Sequence, residues 1–174
     1  MRDALALLPP DGRADLLLLA ALLADRAAGE TDVQEEGAAC AYTLLDRFAF
    51  PAGERDHVLA ALLAVPRLLR ELSASAQPSR LHALAAGVPI EAVALAAALA
   101  PATPDGERAR ANARRWLQEL RHVRVEISGD DLIAAGIPQG PEIGRRLGAA
   151  LARRLDGELE DGREAELRAA LDAP

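Results

Sequence analysis

The chain has 174 residues, 51% of them hydrophobic but only 2% aromatic, with one cysteine and a net charge of −7. This length suffices for one sizeable core and excludes a large multidomain enzyme, while the shortage of aromatic and β-branched residues favours helices over strands. A single cysteine excludes an internal disulfide, so we expect Cys40 to be a buried, inert thiol rather than a nucleophile. No apolar run approaches the ~20 residues of a membrane span, and no signal-peptide pattern opens the chain, which favours a cytoplasmic protein.

Charge is distributed unevenly along the chain. All 20 basic residues are arginines. Residues 1–100 hold 8 arginines and 13 acids, residues 101–154 hold 10 and 7, and residues 155–174 hold 2 and 7. Only the middle segment is net positive. The acidic total argues against a uniformly basic nucleic-acid-binding protein, but this segment leaves room for a local anion-binding surface.

The N-terminal part of the sequence predicts a helical body. Residues 11–28 predict a helix that is apolar on nearly all sides and central to the core, ended by Gly29. A second helix is expected to run to about Phe48, with Tyr42, Leu44, Leu45 and Phe48 as apolar contacts. The stripe that follows residue 54 predicts a helix that breaks or kinks before Pro66 and resumes as a second short helix.

Further helices are predicted on both sides of a polar connection at residues 73–77 and around Gly87 and Pro89. Residues 79–86 predict a short helix after the loop. Residues 90–100 are apolar all round and predict a second buried helix, closed by Pro101.

The helix that starts near residue 104 combines a packed face, which includes Trp116, with a row of arginines. At 100° per residue, three arginines fall within about 40° of one another on a different side, namely Arg110, Arg114 and Arg121. No acid lies on this row, whereas Arg115 has Glu119 four residues on as a partner. Two interpretations stay open: three unpaired guanidinium groups that could contact phosphates, or an ordinary solvated face.

Residues 127–147, which read ISGDDLIAAGIPQGPEIGRRL, predict a helix, a hairpin and a second helix. Ser128, Asp130 and Asp131 suit the start of the first helix, Gly136 its end, and Pro141 the start of the next. Residues 123–127, which lead into this stretch, alternate apolar and charged side chains. They have no partner strand, so we expect an extended linker.

The second helix of this hairpin is suited to holding a phosphate. Backbone N–H groups at its start, in the stretch of Gly140, Pro141 and Glu142, and the side chains of Arg145 and Arg146 one turn in would supply donors and positive charge. Arg153 lies seven residues beyond Arg146 on the same flank and would extend the positive track. The alternative is a helical connector between two core helices.

The sequence contains no recognisable catalytic or metal-binding pattern. The three histidines are scattered and the cysteine lies far from them, so no zinc site is expected. No D-x-D pair occurs, and the adjacent Asp130 and Asp131 would diverge by about 100° on a helix, which favours a capping role over metal binding. Tyr42 and Trp116 could stack on bases, but a core position is the stronger interpretation for a lone aromatic.

The motif at residues 127–147 resembles the C-terminal region of bacterial tRNA nucleotidyltransferases, the CCA-adding enzyme and poly(A) polymerase family. The similarity extends upstream through ERDHVLAALLAVPRLLREL, PSRLHALAAGVPIEAVALAAAL and WLQELRHVRVEISG, and so covers about residues 42–155. In that family these segments are the helical body and tail, which hold the tRNA while an N-terminal head adds nucleotides. The resemblance implies an RNA-binding module that recognises RNA shape and backbone.

Two departures from the family limit what the resemblance implies. The head is absent from these residues, and Mg²⁺, CTP and ATP would belong to it, so we expect no nucleotide addition by this chain alone. Where family members carry a segment of the form AALLHDIGKP, this chain reads AALLADRAAG. Ala24 stands in place of the metal-binding histidine and only Asp25 remains, so a phosphohydrolase activity has no basis.

Together these observations predict an all-α fold, a compact bundle of roughly eight to ten short helices ending in a helix-hairpin-helix-like tail. Residues 1–103 would form a body, and residues 104–174 the basic helix and the hairpin tail, within one compact unit. The expected partner is tRNA, with neither DNA nor a membrane as a partner. Two alternatives stay open: a protein-interaction module that completes a separately encoded nucleotidyltransferase head, and a helical scaffold that binds neither.

Overall fold

A computed structural model of the chain describes residues 2–27, 31–74, 77–160 and 162–173, with the backbone alone described for residues 25–27 and 31–36. Within these ranges there are ten α-helices, one 3-10 turn at Leu120–His122 and no strand, so the predicted all-α fold is confirmed. The helices are α1 (Arg2–Leu7), α2 (Ala14–Ala27), α3 (Thr31–Arg47), α4 (Ala52–Ala74), α5 (Pro78–Ala85), α6 (Ile90–Leu99), α7 (Pro104–Gln118), α8 (Gly129–Ala134), α9 (Pro141–Leu155) and α10 (Arg163–Leu171).

The larger hydrophobic core is built around α6. Its residues 91–97 are all buried, which confirms the predicted buried helix. α4 packs against α2, α6 and α7, and the interior is filled mainly by alanine and leucine. Each buried leucine stabilises the fold by about 1.5–3 kcal/mol. The packed face of α7, with Trp116 buried in it, belongs to this same core.

Two predictions about burial in the N-terminal helices are wrong. α2 is not buried all round, because only one side of it faces α4 and α6, and Leu22 on another side is 73% exposed. In α3, Leu45 is buried, whereas three neighbouring apolar side chains and Cys40 are exposed. The three exposed side chains are Tyr42, Leu44 and Phe48. The predicted helix end at Gly29 lies outside the described residues.

Pro66 does not divide α4, which runs as one helix of 23 residues. The predicted break into two helices is therefore wrong. A proline removes one N–H donor and crowds the preceding turn. Here Val58, Val65, Leu68 and Leu72 lie buried on both sides of it, and their packing against the core keeps the helix continuous.

The linker at residues 123–127 and the helices α8, α9 and α10, together called the tail below, enclose a second, smaller core. The helices α1–α7, which form the larger core, are called the body. Ile127, Leu132 and Ala150 are buried in the smaller core together with two alanines of α10, and Ile143 and Leu147 pack against it. Residues 123–127 form the predicted extended linker, with no partner strand in the described part of the chain. The α9 helix is followed by Gly157 at φ +71°, the left-handed conformation in which glycine is favoured.

A carboxylate clasp joins the tail to the body. Asp156, just after α9, accepts hydrogen bonds from the N–H of Ser79 at 2.9 Å, from its hydroxyl at 2.6 Å and from the Gln77 amide at 2.8 Å. α5 and α9 pack against one another beside this clasp. Burial raises the pKa of the Asp156 carboxyl, but the hydrogen bonds from Ser79 and Gln77 outweigh it, so the pKa lies below its ordinary value.

The clasp gives a pH-dependent contribution to stability. Because the folded pKa of Asp156 is depressed, its stabilisation is present above the unfolded pKa of about 3.9 and is lost as the pH falls through the folded pKa. We expect Asp156→Asn to lower the free energy of unfolding by about 1 kcal/mol at neutral pH. In acid, the free energy of unfolding of the variant should approach that of the wild type. Urea denaturation at both pH values measures this. The exposed Asp56→Asn is the matched control, and a deficit that persisted unchanged in acid would contradict the expectation.

No single helix among the described residues has the length and apolar composition needed to cross a membrane, and α5 with α6 reaches it only as a pair bent by 113°.

Candidate nucleic-acid interface

The α8–α9 hairpin forms as the sequence predicts. Asp131 caps the start of α8, accepting from the N–H of Ser128 at 2.7 Å and from its hydroxyl at 3.0 Å. These two bonds, with a smaller contribution from Arg163, hold the pKa of Asp131 below its ordinary value. Gly136 ends α8 at φ +96°, and the Ile137 N–H donates to the carbonyl of Leu132 at 2.9 Å. α9 then begins at Pro141, so the predicted hairpin boundaries are confirmed.

The first two turns of α9 bring together three of the predicted site residues. The Glu142 carboxylate pairs with Arg145 and, at 2.5 Å, with Arg146, and these pairs lower its pKa. Arg146 also donates to the carbonyls of Ala170 and Leu171 at the end of α10, at 3.0 and 2.6 Å. Its side chain is only 16% exposed, whereas that of Arg145 is 62% exposed. Arg146 therefore locks α9 onto α10, and Arg145 faces solvent.

The predicted row of unpaired arginines on α7 is wrong at two of its three positions. Arg110 pairs with Glu107 at 2.6 Å and donates to the carbonyl of Ala100 at 2.5 Å, because an acid three residues away shares its side of the helix. Arg121 is held by both carboxylate oxygens of Asp11, at 2.6 and 3.0 Å. Arg114 is exposed and has no ion pair in the described part of the chain.

The predicted arginines therefore do not converge on one site. Arg110 contacts the end of α6, Arg121 the loop before α2, and Arg146 the end of α10. Arg153 keeps a half-exposed side chain, with one loose pair to Glu158 at 3.7 Å. Three of the predicted cations keep guanidinium groups that solvent reaches freely, namely Arg114, Arg145 and Arg153.

A groove between the body and the tail was not predicted from the sequence. Its volume is about 500 Å³, and α5, α7, the 3-10 turn and α9 all contribute to its walls. The polar residues that line it are Asp11, His82, Arg121, His122 and Arg124. The one feature of the sequence that points to this groove is the basic run RHVR at residues 121–124. The contacts that bring this run beside α5 and α9 arise from tertiary packing.

The basic side chains of this groove differ in how many of their donors are already engaged in ion pairs or hydrogen bonds within the chain. Arg121 and Asp11 form a pair whose charges cancel. Arg124 donates from one nitrogen to the carbonyls of Arg121 and Val123, at 2.7 and 2.8 Å, and the rest of its exposed guanidinium has no partner among the described residues. His82 lies 3.2 Å from the Leu120 carbonyl, and burial lowers its pKa, with a further small lowering from Arg124.

Trp116 lines the same groove and carries an unpaired donor. The residue is 4% exposed, which confirms its predicted packed position. Its indole N–H is buried and has no hydrogen-bond acceptor among the described residues. A buried donor left without an acceptor costs about 1–3 kcal/mol, so this N–H lowers the stability of the body locally.

The other aromatic candidate, Tyr42, behaves differently. It is exposed, so the core position favoured for it is wrong, and the Arg55 guanidinium lies 5.2 Å from its ring centroid. This cation–π contact partly covers one face of the ring.

Among the described residues, no group of three or more histidine, cysteine, aspartate or glutamate side chains could hold a metal ion.

No protein-family model matches the chain, and neither the curated proteins nor the solved structures contain a match to it.

Proposed function

We propose that the protein is a helical RNA-binding module of the tRNA nucleotidyltransferase type, whose tail holds the phosphate backbone of a tRNA. The observation that carries this function is the α8–α9 hairpin, which presents Arg145 to solvent one turn into α9. It belongs to the only net-positive segment of an otherwise acidic chain. The motif that builds the hairpin is also the part of the sequence that most resembles the family.

Side chains rather than backbone amides make the phosphate contacts in this function. Pro141 has no N–H, and the Glu142 carboxylate already complements the positive start of α9. Among the described residues Arg145 is bound only by this carboxylate, and ion pairs at the surface are weak, so a phosphate can displace it. Arg146 acts as a positioning residue because its hydrogen bonds to the end of α10 fix the direction of α9.

Exposed arginines elsewhere would extend the contact along the RNA. Arg153, two turns further on α9, and Arg114 on α7 have guanidinium groups that reach solvent. Contacts of this kind position a protein on a nucleic acid without reading its bases. We therefore expect recognition of folded tRNA with little dependence on sequence.

The test is binding of a fluorescently labelled tRNA, followed by anisotropy, for the wild type and for Arg145→Ala with Arg153→Ala. We expect the double variant to bind about tenfold more weakly and to show a shallower dependence of log Kd on log salt, by somewhat less than 1 for each phosphate that is no longer neutralised. Arg70→Ala on α4 removes the same charge from an exposed position outside the tail and is the control. Equal affinities for the double variant and the control would contradict the proposed site.

A second candidate function is docking to a separately encoded nucleotidyltransferase head. It is favoured by the large apolar side chains that α2 and α3 expose, above all Leu22 and Phe48. Apolar side chains exposed in this way are typical of interaction surfaces when they form a contiguous patch. Co-purification with a polypeptide that carries a D-x-D pair, abolished in Leu22→Glu, would support this function. Recovery of the chain alone at physiological salt would count against it.

A further inference from the structure

The lining of the groove between body and tail combines side chains of opposite character. The basic ones are the free part of the Arg124 guanidinium and the imidazoles of His82 and His122. Four others are apolar, namely Ala86, Val88, Ile90 and Leu151. A ligand that contacts both kinds must join an anionic group to a less polar one.

Trp116 adds an aromatic side chain to the lining of the groove and is more than nine-tenths buried. The groove volume of about 500 Å³ lies in the range of small-molecule sites.

We propose that this groove binds the phosphate monoester of a nucleoside. Arg124 and His122 contact the phosphate, and the apolar lining side chains cover the sugar and base. Such a group has two sources, a free nucleotide and the phosphorylated end of an RNA. Neither source requires Arg145 or Arg153, which do not line the groove, so this site is distinct from the tRNA-backbone contacts of the proposed function.

The phosphate is what separates this ligand from other small polar molecules. A monoester carries close to two negative charges at neutral pH, more than a backbone diester. The Arg121–Asp11 pair in the lining of the groove is already neutral and adds no net attraction. The charge that selects the monoester therefore comes from Arg124, with the Nδ1–H of His122 as a further donor, because the Nε2 of His122 accepts from Arg121 at 3.1 Å. The N–H of His82 is already donated to the Leu120 carbonyl.

Trp116 is the only tryptophan of the chain, so its emission reports on this groove directly. We expect AMP to change the emission saturably and to release measurable heat in calorimetry, while adenosine does neither. Arg124→Ala should weaken AMP binding about tenfold, because it removes a charge-assisted hydrogen bond to the phosphate. Arg70→Ala, which removes an exposed arginine that does not line this groove, should leave AMP binding unchanged.

Binding of an RNA oligonucleotide, measured with and without a terminal phosphate, shows whether the phosphate comes from a free nucleotide or from an RNA end. Tighter binding of the phosphorylated oligonucleotide than of AMP assigns the site to RNA ends, and the reverse assigns it to free nucleotides. The site is refuted if neither probe gives a saturable emission change or heat, if adenosine responds like AMP, or if Arg124→Ala behaves like Arg70→Ala. None of these outcomes depends on tRNA binding by Arg145 and Arg153, so failure of either site is recognised separately.

Discussion

Glu166→Ala is expected to loosen the tail while the body stays folded. Glu166 lies on α10 and is 1% exposed, and its carboxylate pairs with Arg154. It also accepts from the N–H groups of Glu126 and Ile127, at 2.6 and 3.3 Å, which fixes the extended linker against α10. Its removal leaves these donors unpaired and deprives Arg154 of its buried partner. We expect a decrease of about 2–4 kcal/mol in the stability of the tail.

Hydrogen exchange measured by mass spectrometry resolves the two cores separately. In Glu166→Ala, amides of residues 123–171 should exchange faster, while those of α4 and α6 keep the protection of the wild type. Glu164→Ala removes an exposed carboxylate from the same helix and is the control. Glu166→Gln keeps an oxygen acceptor but not the charge. The exchange rates of its tail amides should therefore lie between those of Glu166→Ala and Glu164→Ala. Protection of residues 123–171 in Glu166→Ala equal to that in Glu164→Ala would contradict the role of this carboxylate.

Gly106→Ala is expected to destabilise the body. Gly106 is buried in the first turn of α7, where its N–H donates to the Thr103 hydroxyl at 3.2 Å. A Cβ built on it would collide with the backbone carbonyl of Pro101, which cannot move aside as a flexible side chain could. α7 must therefore shift away from the turn that precedes it. We expect a decrease of about 2–3 kcal/mol in the free energy of unfolding, comparable to overpacking in other well-packed cores.

Gly148→Ala is the matched control for this change. Gly148 lies in α9, and a Cβ there meets nothing within 4 Å. The same substitution should stabilise the helix by about 0.5–1 kcal/mol, because alanine is the better helix former. Thermal unfolding followed by Trp116 emission and circular dichroism measures both variants. Effects of the same sign at the two positions would contradict the close approach at Gly106.

Local sequence signals predicted most of the helices correctly. The hairpin could be predicted because caps, a left-handed glycine and a first-turn proline act within a few residues of each other, as at Ser128, Gly136 and Pro141. α6 could be predicted because a short helix that is apolar at every position except Glu91 has to be buried. The break at Pro66 is wrongly predicted because the packing of α4 against five other helices outweighs a local helix-breaking tendency.

The candidate site was harder to predict, because an arginine's role depends on partners distant in sequence. Arg121 is neutralised by Asp11, 110 residues away, and Arg146 is held by carbonyls at the end of α10. Helical periodicity places side chains on a face but does not reveal which acids or carbonyls another element brings to that face. The groove around Arg124 was missed for the same reason, since His82, Trp116 and Leu151 come from three separate helices.

The central claim is that the tail binds the phosphate backbone of tRNA, and the most direct test is the salt dependence of tRNA binding by the unaltered chain. Anisotropy titrations between about 50 and 200 mM salt should give a straight line of log Kd against log salt, with a slope that corresponds to at least two or three neutralised phosphates. No binding at about 50 mM salt, or an affinity that does not change with salt, would contradict it.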